Sequence, residues 1–239
     1  LIKSKLKVDK IKVLSKKINV EKLKKIIIKT KPSNLNRLII NKIKKGKLIA
    51  DLDVFFDDSL QIKDFIVKGE VKEMQAVVSK TLTLEDTSFN FFFDNADILI
   101  KNTKSKIDGI LINSGNLFIS KDENITLTSD FTTDIEINKK NINNYIEYLK
   151  DIEIIDKKIN LVASLNHNLS FTFDKTFKVV NYNYSNNGTI KEFSFLLNPK
   201  LKNFFFLNGL NSASFKNTEI TYKYNIEKKH YISAVGNYN

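Results

Sequence analysis

The sequence predicts a mainly β chain: one long, strongly curved antiparallel sheet, groove-like and rolled, with two or three short helices. Three observations lead there. Beyond Gly46 the chain reads as strand almost to its end, in short apolar or alternating runs separated by turn residues. Two of these stretches, 125–137 and 161–173, are each thirteen residues long, roughly 43 Å at about 3.3 Å per residue, where an ordinary strand spans about 17–20 Å. In both, one parity is mostly aliphatic or Phe and the other mostly Thr, Ser, Asn, Asp or Glu, so each strand has one greasy side and one wet side.

The elements run in order along the chain. Ile2, Ser4, Leu6 and Val8 alternate with Lys3, Lys5 and Lys7, the pattern of a half-buried strand. Asn19 is placed to cap a helix carrying Leu23, Ile26 and Ile27 on one side, and Pro32-Ser33-Asn34 interrupts it. Leu35, Leu38, Ile39 and Ile43 continue at helical spacing, with Lys42, Lys44 and Lys45 in the last turn and Gly46 as the residue past its end. Strand-like segments come next at 60–62, 65–67, 76–78, 82–84, 89–93, 96–100, 107–112 and 117–119. Turns are expected at Glu85-Asp86, Asp94-Asn95 and Asn113-Ser114-Gly115-Asn116. The long stretch 125–137 is next. Ile142, Tyr145, Ile146 and Leu149 then fall at helical spacing, giving a helix near 140–150 with Asn138 or Asn141 as cap. After 161–173 come 177–184, a hairpin turn at Asn186-Asn187-Gly188, then 193–197, 204–207, 213–215, 220–226 and 231–235.

Composition narrows the function. The chain has 239 residues, 39 Lys and Arg against 27 Asp and Glu, two His, no Cys and no Trp. Without cysteine there is no disulfide framework, thiol catalysis or Cys-based zinc site. Two histidines leave little for a His-rich metal centre or a Ser-His-Asp triad. No Gly-rich phosphate loop and no G-x-S-x-G elbow is present. Asp51, Asp53, Asp57 and Asp58 lack the spacing of a calcium loop and read as turn and strand-edge charges. His167, on the apolar parity of its strand, reads as a ligand or as a satisfied inward-facing polar group. The expectation is of no enzyme, no metal and no cofactor.

The charge is asymmetric. Residues 1–50 hold 17 Lys and Arg against 2 Asp and Glu, whereas residues 51–239 hold 22 against 25. Such a segment suits an anionic membrane surface or a solvated face. It contains no Phe, Tyr or Trp for base stacking, so nucleic acid is not the expected partner. We read 1–46 as a basic cap of one strand and short helices, and 47–239 as the sheet. The start at Leu1, without a signal-peptide layout, reads as part of a longer protein.

Several segments resemble a known family. Pro32-Ser33-Asn34-Leu35-Asn36-Arg37-Leu38 through Gly46, leading into the strand-like 47–56, is similar to the proline, arginine-bearing helix and glycine of AsmA-like envelope proteins of the YhdP type. Phe65-Ile66-Val67-Lys68-Gly69-Glu70-Val71, Leu82-Thr83-Leu84-Glu85-Asp86, the strands of 89–137 and the helix at Ile142–Leu149 resemble the succeeding elements of that family. The resemblance implies a Gram-negative protein anchored in the inner membrane through a segment outside this chain. Its periplasmic part would be a rolled sheet with a hydrophobic groove, linked to phospholipid transport and outer-membrane biogenesis.

The residues read on their own agree in one respect. An acyl chain of about 14–16 methylenes needs an apolar path worth on the order of 10 kcal/mol, at about 0.8 kcal/mol per methylene. Ile125, Leu127, Phe131, Ile135 and Ile137 with Leu161, Leu165, Leu169, Phe171 and Phe173 are the candidate lining for phospholipid acyl chains. The same residues would fill an ordinary core in a β-rich envelope scaffold or adhesin-like protein without lipid cargo. An open groove leaves a large apolar patch exposed, and a packed core does not.

Overall fold

A computed structural model describes residues 8–30, 34–77, 82–145, 159–176, 178–203, 206–227 and 229–238. The chain forms β1 (Lys10–Leu14), β2 (Ile18–Asn19), α1 (Val20–Ile27), α2 (Asn34–Lys42), β3 (Ile43–Phe56), β4 (Ile62–Val77), β5 (Thr83–Phe93) and β6 (Asp97–Ile107). It continues with β7 (Ile110–Lys121), β8 (Ile125–Ile137), a 3₁₀ turn at Ile142–Tyr145, β9 (Asn160–Phe173), β10 (Val179–Asn203), β11 (Phe206–Asn225) and β12 (His230–Tyr238).

All twelve strands belong to one open, curved antiparallel sheet. Spatial order matches chain order, β1-β3-β4 and onward to β12, with β2 also paired to β3. Of the basic segment, β1 runs beside β3 with Lys10 opposite Phe55 and Leu14 opposite Asp51. Lys10 Nζ donates to Asp53 Oδ2 across that pair at 2.9 Å.

In several of the long strands bulges keep the apolar side in phase. In β4 the face passes from Val71 to Met74 around Glu73, which has φ 52°. In β5 it passes from Leu84 to Thr87 around Asp86, φ 47°. In β6 it passes from Ile100 to Thr103 around Asn102, φ 56°. β7 shifts between Ile112 and Ser114, and β10 between Ile190 and Glu192. Each extra residue reverses the parity of the sequence but returns the apolar residues to one face. Each also bends its strand, so bulges on neighbouring strands contribute to the curvature of the sheet.

Several expected boundaries are corrected. Glu85-Asp86 is no turn but the bulge within β5. Asn113–Asn116 lies inside β7, where Gly115 faces Phe131. Asn186-Asn187-Gly188 lies inside β10, with Asn187 paired to Asn166 on one side and Thr221 on the other. Gly188 is required there because a Cβ would lie 2.1 Å from the Ser164 carbonyl oxygen. A real two-residue turn divides the segment read as one strand at 107–112. Asp108 and Gly109 have φ 47° and 93° and join Ile107 to its partner Ile110, a type I′ geometry that suits Asp-Gly. Gly46 sits within β3, because α2 ends at Lys42 and the strand begins at once. Asn19 precedes α1 without a side-chain capping bond. The expected strand at 2–8 falls almost wholly outside the described residues, as do Ile146 and Leu149.

Among the described residues three buried apolar side chains gather into a small core. Ile137, Ile142 and Ile159 bury one another, with Ile110, Ile135, Leu161, Phe193 and Phe195 packed around them. The 3₁₀ turn supplies Ile142 and thereby covers the end of β8 and the start of β9.

Candidate functional site

The site is built from rows of side chains that cross the sheet. One row runs Val13, Leu52, Val67, Phe93, Ile98, Ile119, Leu127, Phe171 and Tyr182, each directly opposite the next. A second runs Ala50, Gly69, Phe91, Ile100, Leu117, Ser129, Leu169, Tyr184, Tyr224 and His230. With strands about 4.8 Å apart, the first row is an apolar track roughly 38 Å long. The Phe rings reinforce it: Phe91 stacks on Phe93 at 5.6 Å, Phe65 meets Phe93 edge-on at 6.5 Å, and Phe171 stacks on Phe173 at 6.0 Å.

Among the described residues no second layer covers most of this face. Among the described residues only Val20, Ile27, Ala76, Ile137, Ile142, Ile159 and Ala163 are buried apolar side chains. The chain exposes 17198 Å², whereas a compact folded chain of 27.6 kDa exposes roughly 11,000 Å². Two packed layers would have removed much of that difference. A cavity of about 600 Å³ opens on the apolar face. Its walls include Met74, Phe89, Ile100, Leu117 and Phe131 of the sheet and Ile39 and Lys42 of α2. Its volume falls in the range of small-ligand pockets.

All ten lining residues expected from sequence share this face. Ile125 is opposite Phe173, Leu127 opposite Phe171, and Ile137 opposite Leu161. Their surroundings differ. Ile137 is buried in the small core, and Ile135 and Leu161 pack against it. Ile125, Leu127, Phe131, Leu165, Leu169, Phe171 and Phe173 remain half-buried. The sequence reading missed the same track on β1 and β3–β7, and the tyrosines at its far side. Alternation of Phe89, Phe91 and Phe93, and of Tyr182 with Tyr184, was the available signal.

The face changes character from β9 onward. His167 is 8 % exposed and stacks on Phe131 with centroids 4.5 Å apart. Its Nε2 lies 2.8 Å from Thr133 Oγ1, and its Nδ1 lies 2.8 Å from the Tyr184 hydroxyl. Asn186 Nδ2 donates to that hydroxyl at 3.0 Å. Burial holds the His167 imidazole below its usual pKa, because the charged ring would lose hydration. His167 is therefore a satisfied inward-facing polar group.

The opposite face is a wet ladder. Asn113 Nδ2 and Ser164 Oγ both donate to Asp134, each at 2.6 Å, and these bonds hold its carboxyl below the ordinary range. Asn116 donates to Asp130 at 2.9 Å. A cavity of about 820 Å³ lies there, bordered by Asn168, Asn183, Lys223 and Tyr231. Among the described residues no group of three His, Cys, Asp or Glu side chains is arranged to hold a metal ion, and no helix is long and apolar enough to cross a membrane.

No family model, curated protein or solved structure matches this chain.

Proposed function

We propose that this chain is a lipid-binding segment of a Gram-negative envelope protein, of the AsmA-like kind, that carries phospholipid between membranes. In this reading it lies in the periplasm and serves outer-membrane biogenesis, with its inner-membrane anchor elsewhere in the protein. The observation that carries the proposal is the uncovered apolar track from Val13 to Phe171. Acyl chains laid along it leave water at about 0.8 kcal/mol per methylene, while the headgroup stays off the aliphatic rows. Movement along such a track makes and breaks no covalent bond, so it asks for no nucleophile or cofactor.

The test is lipid capture. The chain is purified from a bacterial envelope in mild detergent and its bound lipid is measured by mass spectrometry, beside Leu165→Asp and Phe171→Asp variants. Stoichiometric phospholipid, lost in variants that keep their β circular dichroism, supports the proposal. A folded, lipid-free chain overturns it and leaves the second reading, an envelope scaffold without cargo. The small core around Ile137, Ile142 and Ile159 favours that second reading locally, since apolar residues close on one another there.

A further inference from the structure

The apolar track does not cross the whole sheet unchanged. At β10 and β11 both rows pass into tyrosine: Phe171 is opposite Tyr182, Leu169 is opposite Tyr184, and Tyr184 is opposite Tyr224. Tyr182 and Tyr224 lie with ring centroids 5.5 Å apart. Tyr184 and Tyr222 lie 5.9 Å apart. His230 sits 4.5 Å from Tyr224, and its Nδ1 lies 3.0 Å from the Tyr222 hydroxyl. The four tyrosines are half-buried, so their rings form a platform and their hydroxyls a polar layer upon it.

This sector carries no fixed charge. The alternate residues that face this side along 165–173, 182–190, 218–224 and 230–234 include no Lys, Arg, Asp or Glu. Phosphate and carboxylate groups are held by Arg and Lys, and the sector offers neither. Aromatic faces carrying hydroxyl, imidazole and amide groups suit a different partner. They fit a ligand with C–H faces and hydroxyls of its own, because tyrosine offers an apolar body and a polar tip.

Resting on the lipid-binding reading above, we infer that the track is not confined to phospholipid: the tyrosine–histidine sector of β9–β12 receives the uncharged, hydroxylated headgroup of a glycolipid whose acyl chains occupy the aliphatic track. The two parts meet directly at the Phe171–Tyr182 and Leu169–Tyr184 pairs, so a chain lying along either row brings its head to the tyrosines.

The experiment uses the whole chain and vesicles of dioleoylphosphatidylcholine. These contain one-fifth of either dioleoyl glucosyl-glycerol or dioleoyl phosphatidic acid. After the vesicles are spun away, protein-bound lipid is measured by mass spectrometry. The expected result is capture of the glucosyl lipid about tenfold over phosphatidic acid, a difference of about 1.4 kcal/mol. In a Tyr184→Phe/Tyr224→Phe variant, which keeps the rings, the preference disappears while capture of phosphatidic acid is unchanged. Equal capture by the wild-type chain, or a preference that survives the loss of both hydroxyls, overturns the headgroup sector and leaves the aliphatic track standing. Capture of no lipid, phosphatidylcholine included, overturns the lipid-binding reading and the headgroup sector with it. If the double variant does not melt cooperatively, Tyr222→Phe is read by the same criteria.

Discussion

Thr133 and His167 are diagonal neighbours across β8 and β9, with Oγ1 and Nε2 2.8 Å apart on a surface given largely to aliphatic and aromatic side chains. The imidazole is buried and held neutral. An unfolded chain takes up a proton on this ring below about pH 6.5, and the folded chain resists doing so. This contribution to stability is fully present above the unfolded value and is lost as the pH falls from there toward the folded value. Thermal melts between pH 7.5 and 5 should therefore show a falling Tm, with a shallower slope in His167→Gln. Equal slopes would mean that His167 titrates freely.

Removing the other partner isolates the hydrogen bond. Thr133→Val keeps the shape of the side chain but leaves Nε2 without its partner in a buried site. The expected cost is about 1–3 kcal/mol in urea unfolding at pH 7.5. A change below about 0.5 kcal/mol would show that water replaces the hydroxyl.

Track and core residues should respond differently to truncation. Leu127 is half-buried on the track, whereas Ile142 is 3 % exposed in the small core. Leu127→Ala should cost less than about 1 kcal/mol and Ile142→Ala about 2–4 kcal/mol, because a cavity opens only where neighbours enclose the side chain. Comparable losses at both positions would mean that the track is covered in solution.

Gly188 tests the interior placement of a sequence that looks like a turn. Gly188→Ala drives a methyl toward the Ser164 carbonyl oxygen, with no flexible side chain there to give way. A loss of about 2 kcal/mol or more is expected in the same urea experiment. A neutral substitution would place Asn187-Gly188 in a hairpin loop after all.

An uncovered apolar face should also be visible to dyes. The delipidated native chain should bind anilinonaphthalene sulfonate strongly at neutral pH while keeping a cooperative melt, a pairing that separates it from a molten globule. Lipid loading should quench the signal. Absence of dye binding in the lipid-free chain would argue for a covered face.

The sheet class, its antiparallel pairing and its long strands were legible in the alternation of 125–137 and 161–173. So was the shared face of the ten lining residues, since parity alone decides it within an unbroken strand. The errors have one physical source. Polar residues able to adopt positive φ mark turns and bulges alike, and local sequence does not separate the two. Asp86 reads as a turn yet lies within a strand, and only its cross-strand partners show the difference. Because bulges invert parity, a continuous face appears in the sequence as short segments with opposite phase. The track through Val67, Phe93, Ile98 and Ile119 was hidden for that reason. The placement of Ile137 was not legible either, because it depends on Ile142 and Ile159 closing over it.

Strand order that equals chain order makes the molecule nearly one-dimensional. From β3 to β12 each strand touches the one before and the one after, and no distant segment is needed to complete the sheet. Such an arrangement can zip up from any hairpin, as repeat proteins do. It also turns reach into a counted quantity: each added hairpin lengthens the track by roughly 10 Å and leaves every existing pairing intact. Evolution, or a designer, could set the span of this device by the number of strands alone.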